Sequence, residues 1–216
     1  MPPQQQGGPR QPSLPAVTVS ENLIQDIKPE PQDIRVAAFA ETGQRQFGEE
    51  VADMIEDCDL VIALGHVDLG SLARMLPDNK PALCVYGPRD SARRPPTPFR
   101  WLHGNGIIFK DWRIAGFSGA LRSGGTPGFY LSPDEASLII DKTPSCDILL
   151  SYSPPTNLPN SPSLVEPFES LENYLISKRP AYQLYARSDE SDAEEVGDTL
   201  VIGVQDALLL PPLVFV

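Results

Sequence analysis

Short runs that are apolar at every position alternate with longer stretches that are apolar on one side only. "IRVAAFA" (34–40), "DLVIALG" (59–65) and "PALCVYG" (81–87) are of the first kind. Their length and lack of alternation predict strands buried on both faces. Between the first two, Phe47, Val51, Met54 and Ile55 recur at i, i+4, i+7 and i+8, which is one face of a helix. A shorter helix is predicted at "LGSLARML" (69–76). Strand, helix, strand, helix, strand in this order predicts an α/β sheet with covered faces.

The second half reads differently. "GIIFKDWRIAGFSG" (106–119) predicts two strands folded back on each other at Lys110-Asp111. "LSPDEASLIID" opens with Ser132, has Pro133 at the first helical position, and places Glu135 three residues after the serine. This is a capping box and predicts a helix start. "CDILLSYSPP" (146–155) predicts a strand ended by two prolines. Leu164, Phe168, Leu171 and Leu175 are spaced for a further helix, with Lys178 and Arg179 at its favourable C-terminal end. "AYQLYA", "TLVIGV" and "PLVFV" are predicted to close the chain as strands. Residues 1–32 are rich in Pro, Gln and Gly and predict a disordered tail, in which Leu23, Ile24 and Ile27 offer at most one docked turn of helix. A globular domain is predicted over 33–216.

Composition narrows the function classes. The formal net charge of −12 repels nucleic acid and anionic lipid, so neither is an expected partner. The basic stretch "RDSARRPPTPFR" (89–100) reads as a solvated loop. The three cysteines, Cys58, Cys84 and Cys146, cannot pair completely, and each lies in or beside an apolar run. They read as small buried hydrophobes in a reducing compartment, with no Cys/His spacing for zinc. The N-terminus lacks the apolar core of a secretion signal, and no run approaches the roughly 20 residues that span a bilayer. A cytoplasmic location is expected.

In open α/β sheets, ligands sit beyond the carboxyl ends of the strands. The segments found there are Glu41-Thr42-Gly43, Gly65-His66-Val67-Asp68, Gly87-Pro88-Arg89-Asp90, Ser151-Tyr152-Ser153-Pro154-Pro155 and Ala186-Arg187-Ser188-Asp189. In order and spacing, from about Ile34 to Val216, this set resembles the calcineurin-like metallophosphoesterase superfamily. That family carries D-x-H, G-D, G-N-H-D, a strand-end His often followed by S-P-P, and G-H-x-H. "WRIAGFSG" and "CDILLSYSPP" match best. The resemblance implies a four-layer α/β/β/α sandwich with two mixed β-sheets. It also implies a cleft in which two metal ions share an aspartate and activate water.

The family's chemistry does not carry over residue by residue. Glu41 and Gly43 stand at D-x-H, His66 replaces the shared aspartate, and Pro88 and Arg89 replace the Asn and His of G-N-H-D. Tyr152 replaces the strand-end His, and Arg187 and Asp189 replace both histidines of the last motif. Proline has no ligand atom and arginine stays charged, so no cofactor is expected at the second metal position. Glu41, His66 and Asp189 fall on first-site positions; the alternative reading is one divalent ion there, Mn or similar. The plainer reading is a Glu41–His66 or His66–Asp189 hydrogen bond. Arg89 and Arg187 read as an anion-binding pair if the loops meet as in the family, or as partners of Asp90 and Asp189. His103 reads as a packing histidine. The resulting expectation is a non-catalytic binding or scaffolding domain whose partner is a protein or a phosphate-containing small molecule. The alternative is a weakened or single-metal phosphoesterase.

Overall fold

Each of the first apolar runs lies between two layers, so its alternate residues serve different cores. The computed structural model describes residues 32–43, 47–91, 94–122, 129–155, 158, 167–187 and 191–214. In β1 (Val36–Ala40), Val36, Ala38 and Ala40 face a second sheet, while Ala37 and Phe39 face the helices α1 (Glu49–Asp57) and α2 (Leu69–Met75). β2 (Leu60–Ala63) and β3 (Ala82–Cys84) divide in the same way. Every residue of these three strands is buried, which is why the sequence shows continuous apolar runs there instead of alternation.

The remaining strands are β4 (Phe99–Trp101), β5 (Asn105–Phe109), β6 (Trp112–Phe117), β7 (Ala120–Leu121), β8 (Tyr130–Leu131), β9 (Ile148–Ser151), β10 (Tyr182–Ala186), β11 (Asp192–Val196), β12 (Thr199–Val204) and β13 (Asp206–Leu209). One sheet has the order β13-β1-β2-β3-β4, the other β11-β12-β10-β9-β6-β5. Their inner pairings are parallel, and β13, β11 and β5 add on antiparallel, so both sheets are mixed. β7 and β8 form a small parallel pair. Helices α3 (Pro133–Lys142) and α4 (Glu169–Lys178) cover the outer face of the second sheet through Ala136, Ile140, Leu171 and Leu175. The layers are therefore α/β/β/α.

Local signals act as read. The Ser132 hydroxyl accepts from Glu135 N and the Glu135 carboxylate accepts from Ser132 N, completing the capping box before Pro133. Lys110 and Asp111 both have positive φ, 46° and 68°, as a two-residue turn between twisted strands requires. The closing strand is the exception. It is β13, not "PLVFV": Pro211 and Pro212 interrupt the ladder, and Leu213 makes only an isolated bridge to Ile34. β4 and β11 are strands that the hydrophobic pattern does not predict. Residues 1–31, including Leu23, Ile24 and Ile27, and also Leu164 and Asp189, lie outside the described residues. No helix among the described residues is long and apolar enough to cross a membrane. Cys58, Cys84 and Cys146 are buried and free.

One hydroxyl joins the two sheets. Ser118, fully buried just past β6, accepts from Tyr86 N (2.9 Å) and Trp101 Nε1 (2.8 Å) and donates to Leu102 O (3.1 Å). Its own N–H donates to His103 Nδ1 (3.1 Å). Trp101 stacks between Tyr86 and His103, and Phe129 meets all three rings edge-on. His103 is thus a packing histidine, and burial holds it below its usual pKa. Ser118→Ala strands two donors, each costing about 1–3 kcal/mol when buried and unpaired. Urea unfolding should therefore show a loss of about 2 kcal/mol or more, with an unchanged m-value.

Candidate active-site cleft

The loops after β1 and β2 are laced together before any side chain acts. Glu41 N donates to Gly65 O (3.1 Å) and Gly43 N to His66 O (2.8 Å). This lacing puts two non-glycine residues in the left-handed region, Glu41 at φ 53° and His66 at φ 52°, next to Gly65 at 101°. Such backbone costs about 1 kcal/mol or more per residue and is held only where the surroundings over-determine it. The loop after β3 joins through Asp90, whose Oδ2 accepts from His66 N (2.9 Å) and Gly87 N (2.8 Å).

On this frame four side chains converge. His66 Nδ1 lies 2.7 Å from Glu41 Oε1, and Tyr152 Oη donates to the same oxygen at 2.8 Å. Arg89 Nη2 donates to Glu41 Oε2 at 2.7 Å. His66 Nε2 accepts from Arg89 N at 2.9 Å, which assigns the ring proton to Nδ1 and makes that nitrogen the donor to Glu41. With Nδ1 a donor to Glu41, the approaches of Arg89 Nη2 (2.8 Å) and Nε (3.2 Å) to it pack the guanidinium against the imidazole. Tyr152 finds room because Gly65 and Gly87 have no side chains: a Cβ on either would stand 2.6 Å from its ring.

The cleft above has a volume of about 620 Å³, lined by Glu41, Gly43, His66, Val67, Arg89 and Asp90, with Asp68 at its edge. Asp68 caps α2, accepting from Gly70 N and Ser71 N at 3.1 Å, and these bonds with that of the Ser71 hydroxyl hold its carboxyl below the usual range. Burial alone would raise the Glu41 carboxyl. Hydrogen bonds from His66 and Tyr152, with the electrostatic effect of His66 and then of Arg89, outweigh burial and keep it low. Asp90 goes the other way: burial and the Glu41 charge raise it against its two backbone bonds. Burial and Glu41 push the Tyr152 phenol well up, so it stays a neutral donor.

The predicted residues separate as follows. Glu41, His66, Arg89 and Tyr152 come together, and the Glu41–His66 hydrogen bond forms. Arg89 pairs with Glu41, and the Asp90 Oδ2 accepts from backbone N–H groups instead. The Arg187 side chain is buried, its Nη1 is 3.4 Å from Asp192 on β11, and it is not among the described residues that line the cleft. Asp189 is outside the described residues. Sequence reasoning does not single out Ser118; only the "GFSG" position at a strand end points toward it.

The donor set does not suit a pair of dications. Both Glu41 oxygens and both His66 nitrogens are engaged, Pro88 supplies nothing, and Arg89 brings its own positive charge. A guanidinium at roughly 4 Å from a dication is repelled by about 8 kcal/mol at an effective dielectric near 20. Among the described residues no three His, Cys, Asp or Glu side chains are grouped to hold a metal ion.

No protein-family model and no curated protein sequence matches the chain. Solved structures do match. The protein TT1561 of Thermus thermophilus is 16% identical, with 81% of this chain and 90% of that protein covered and a TM-score of 0.57. Phosphopantetheinyl hydrolase (PptH) from Mycobacterium tuberculosis is 11% identical, with 81% and 90% covered and a TM-score of 0.52. At such identities the likeness is one of fold. The chain has the metallophosphoesterase-like α/β sandwich that its strand-end segments suggest.

Two substitutions test the network. Gly87→Ala forces a Cβ to 2.6 Å from the Tyr152 ring and 2.9 Å from His66 Nε2, and should cost about 1–3 kcal/mol in urea unfolding. Tyr152→Phe removes a donor to a carboxylate and should cost about 1.5 kcal/mol at neutral pH. The folded Glu41 carboxyl lies below its ordinary value of 4.5, so its contribution is complete above that pH and is lost as pH falls through the folded value. The stability gap between wild type and Tyr152→Phe should therefore be flat above pH 4.5 and close below it, measured by urea titration across pH.

Proposed function

We propose that this chain is a metallophosphoesterase-fold binding domain that does not carry out two-metal hydrolysis. One observation supports the reading above the others: the Arg89 guanidinium, 2.7 Å from Glu41 Oε2 and packed on His66, supplies a tethered cation beside the side chains that would otherwise be ligands. A water-activating site needs ligand atoms free to bind ions and an ion free to bind water. Here the ligand atoms are tied to one another. Tyr152 remains protonated and Pro88 is inert, so no group at these positions replaces a strand-end imidazole or a metal-binding amide.

What remains is a shaped, polar cleft with a fixed charge pattern. Among the described residues no hydrogen bond engages Arg89 Nη1, and the Arg89 side chain is 68% exposed. This outward face suits an oxygen acceptor on a partner protein or a phosphate-containing small molecule. Asp68 and Asp90 line the same cleft, so they penalise a ligand of high negative charge. A binding role fits this arrangement better than hydrolysis, because it asks only that the loops hold their shape.

The test is metal analysis of protein purified without chelators, then a generic phosphodiester assay with added manganese. The expected outcome is substoichiometric metal and no hydrolysis above the buffer blank. Manganese-dependent turnover that disappears in His66→Ala would replace this reading with a single-metal phosphoesterase at Glu41 and His66.

A further inference from the structure

The two large sheets have four edges, and three are guarded. β11 carries Asp192, Glu194 and Glu195; β4 is three residues long with an exposed Arg100; β13 is four residues long and begins at Asp206. Charges and short length are the usual means of keeping an edge from pairing with another chain. β5 has neither. It is five residues, "NGIIF", with no charge, and nothing among the described residues pairs with its outer side.

The surface beside this edge is apolar and shaped. Ile108 is 75% exposed, the largest exposure of the big hydrophobic side chains among the described residues. It helps to line a groove of about 360 Å³, with Gly106, Ile107, Ile114 and Pro144 among the other walls and Arg113 as its charged member. Gly106 lets β6 and Pro144 come close: a Cβ there would stand 2.8 Å from Ile114 O and 3.3 Å from Pro144 Cγ. The charges nearby are already matched, Lys110 to Asp59 at 2.7 Å and Arg113 to the buried Asp147. A charged partner thus finds no free counter-charge, while two copies of a chain with net charge −12 meet here with little local repulsion.

We propose that β5 is a self-association edge, through which two copies of this chain pair antiparallel about a two-fold axis at Ile107. In that register Ile107 lies opposite its counterpart, Gly106 opposite Ile108, and Asn105 opposite Phe109. Gly106 and Ile108 point to the same outer face, since side chains two apart share a face of the strand. Each Ile108 therefore stands over the other copy's Gly106, where no side chain obstructs it, and packs toward Pro144. The strand is complementary to itself: it carries both the projecting group and the position without a side chain that faces it. The two six-stranded sheets become one continuous sheet. A single five-residue strand from each chain buries far less than the roughly 800 Å² per partner of a standard interface, so the dimer is weak and concentration-dependent.

Sedimentation velocity of the full chain, from micromolar to near-millimolar concentration, tests this. The average mass should rise from that of one chain toward that of two. Ile108→Lys should remove the rise while leaving the circular dichroism and thermal midpoint in place, because the position is exposed. Leu138→Lys, at an exposed apolar site on α3, should leave the rise intact. Hydrogen exchange of the unmodified chain gives an independent reading: amides in 105–109 should slow as concentration increases. A constant single-chain mass overturns the proposal. So does a dimer that persists in Ile108→Lys, a dimer dissolved only by Leu138→Lys, or exchange at β5 that ignores concentration.

Discussion

A single long side chain determines what this cleft can be. Arg89 reaches from the loop after β3 to the carboxylate at the end of β1, and its backbone N–H fixes the imidazole that lies between them. Glu41 is almost withdrawn from water, its side chain 12% exposed. A carboxylate so placed needs a compensating charge and several donors to stay ionised. It receives Arg89, His66 and Tyr152. The ion pair by itself contributes little, since the guanidinium is mostly in solvent and screened. The two donors that sit inside, His66 and Tyr152, do more to hold the carboxylate in one position.

That arrangement also explains the backbone. Left-handed conformations at Glu41 and His66 aim both side chains at the same point, and ordinary extended residues at those positions would send them to opposite faces. The strain is offset by the loop-to-loop bonds and by the Asp90 carboxylate, which gathers N–H groups that have no strand partner. Asp90 thus has an architectural role that does not require metal or substrate.

The fold was legible where burial was complete. β1, β2, β3 and β9 are hidden on both faces, so their sequences could tolerate little that is polar and announced themselves. The edges were not. "DAEEV" becomes β11 only because β12 offers a ladder to it, and no local preference in an acidic pentapeptide reveals that. "PLVFV" carried a stronger apolar signal than "DALL", yet the latter pairs with β1, since two prolines deny the former its donors. At the cleft, the strand ends indicated which residues gather. They did not indicate which group pairs with which. Arg89 stands next to Asp90 in sequence and binds a carboxylate 48 positions away, while Asp90 takes backbone donors.

The converging side chains come from both halves of the sandwich. Glu41 and His66 end strands of the first sheet, Tyr152 ends a strand of the second, and the loop bearing Arg89 is stitched across by Gly119 N to Tyr86 O and Phe129 N to Pro88 O. A slide of one sheet over the other by even an ångström would pull the phenol from the carboxylate. The cluster therefore works as an alignment gauge for the whole body, and a ligand seated on it would grip both halves at once.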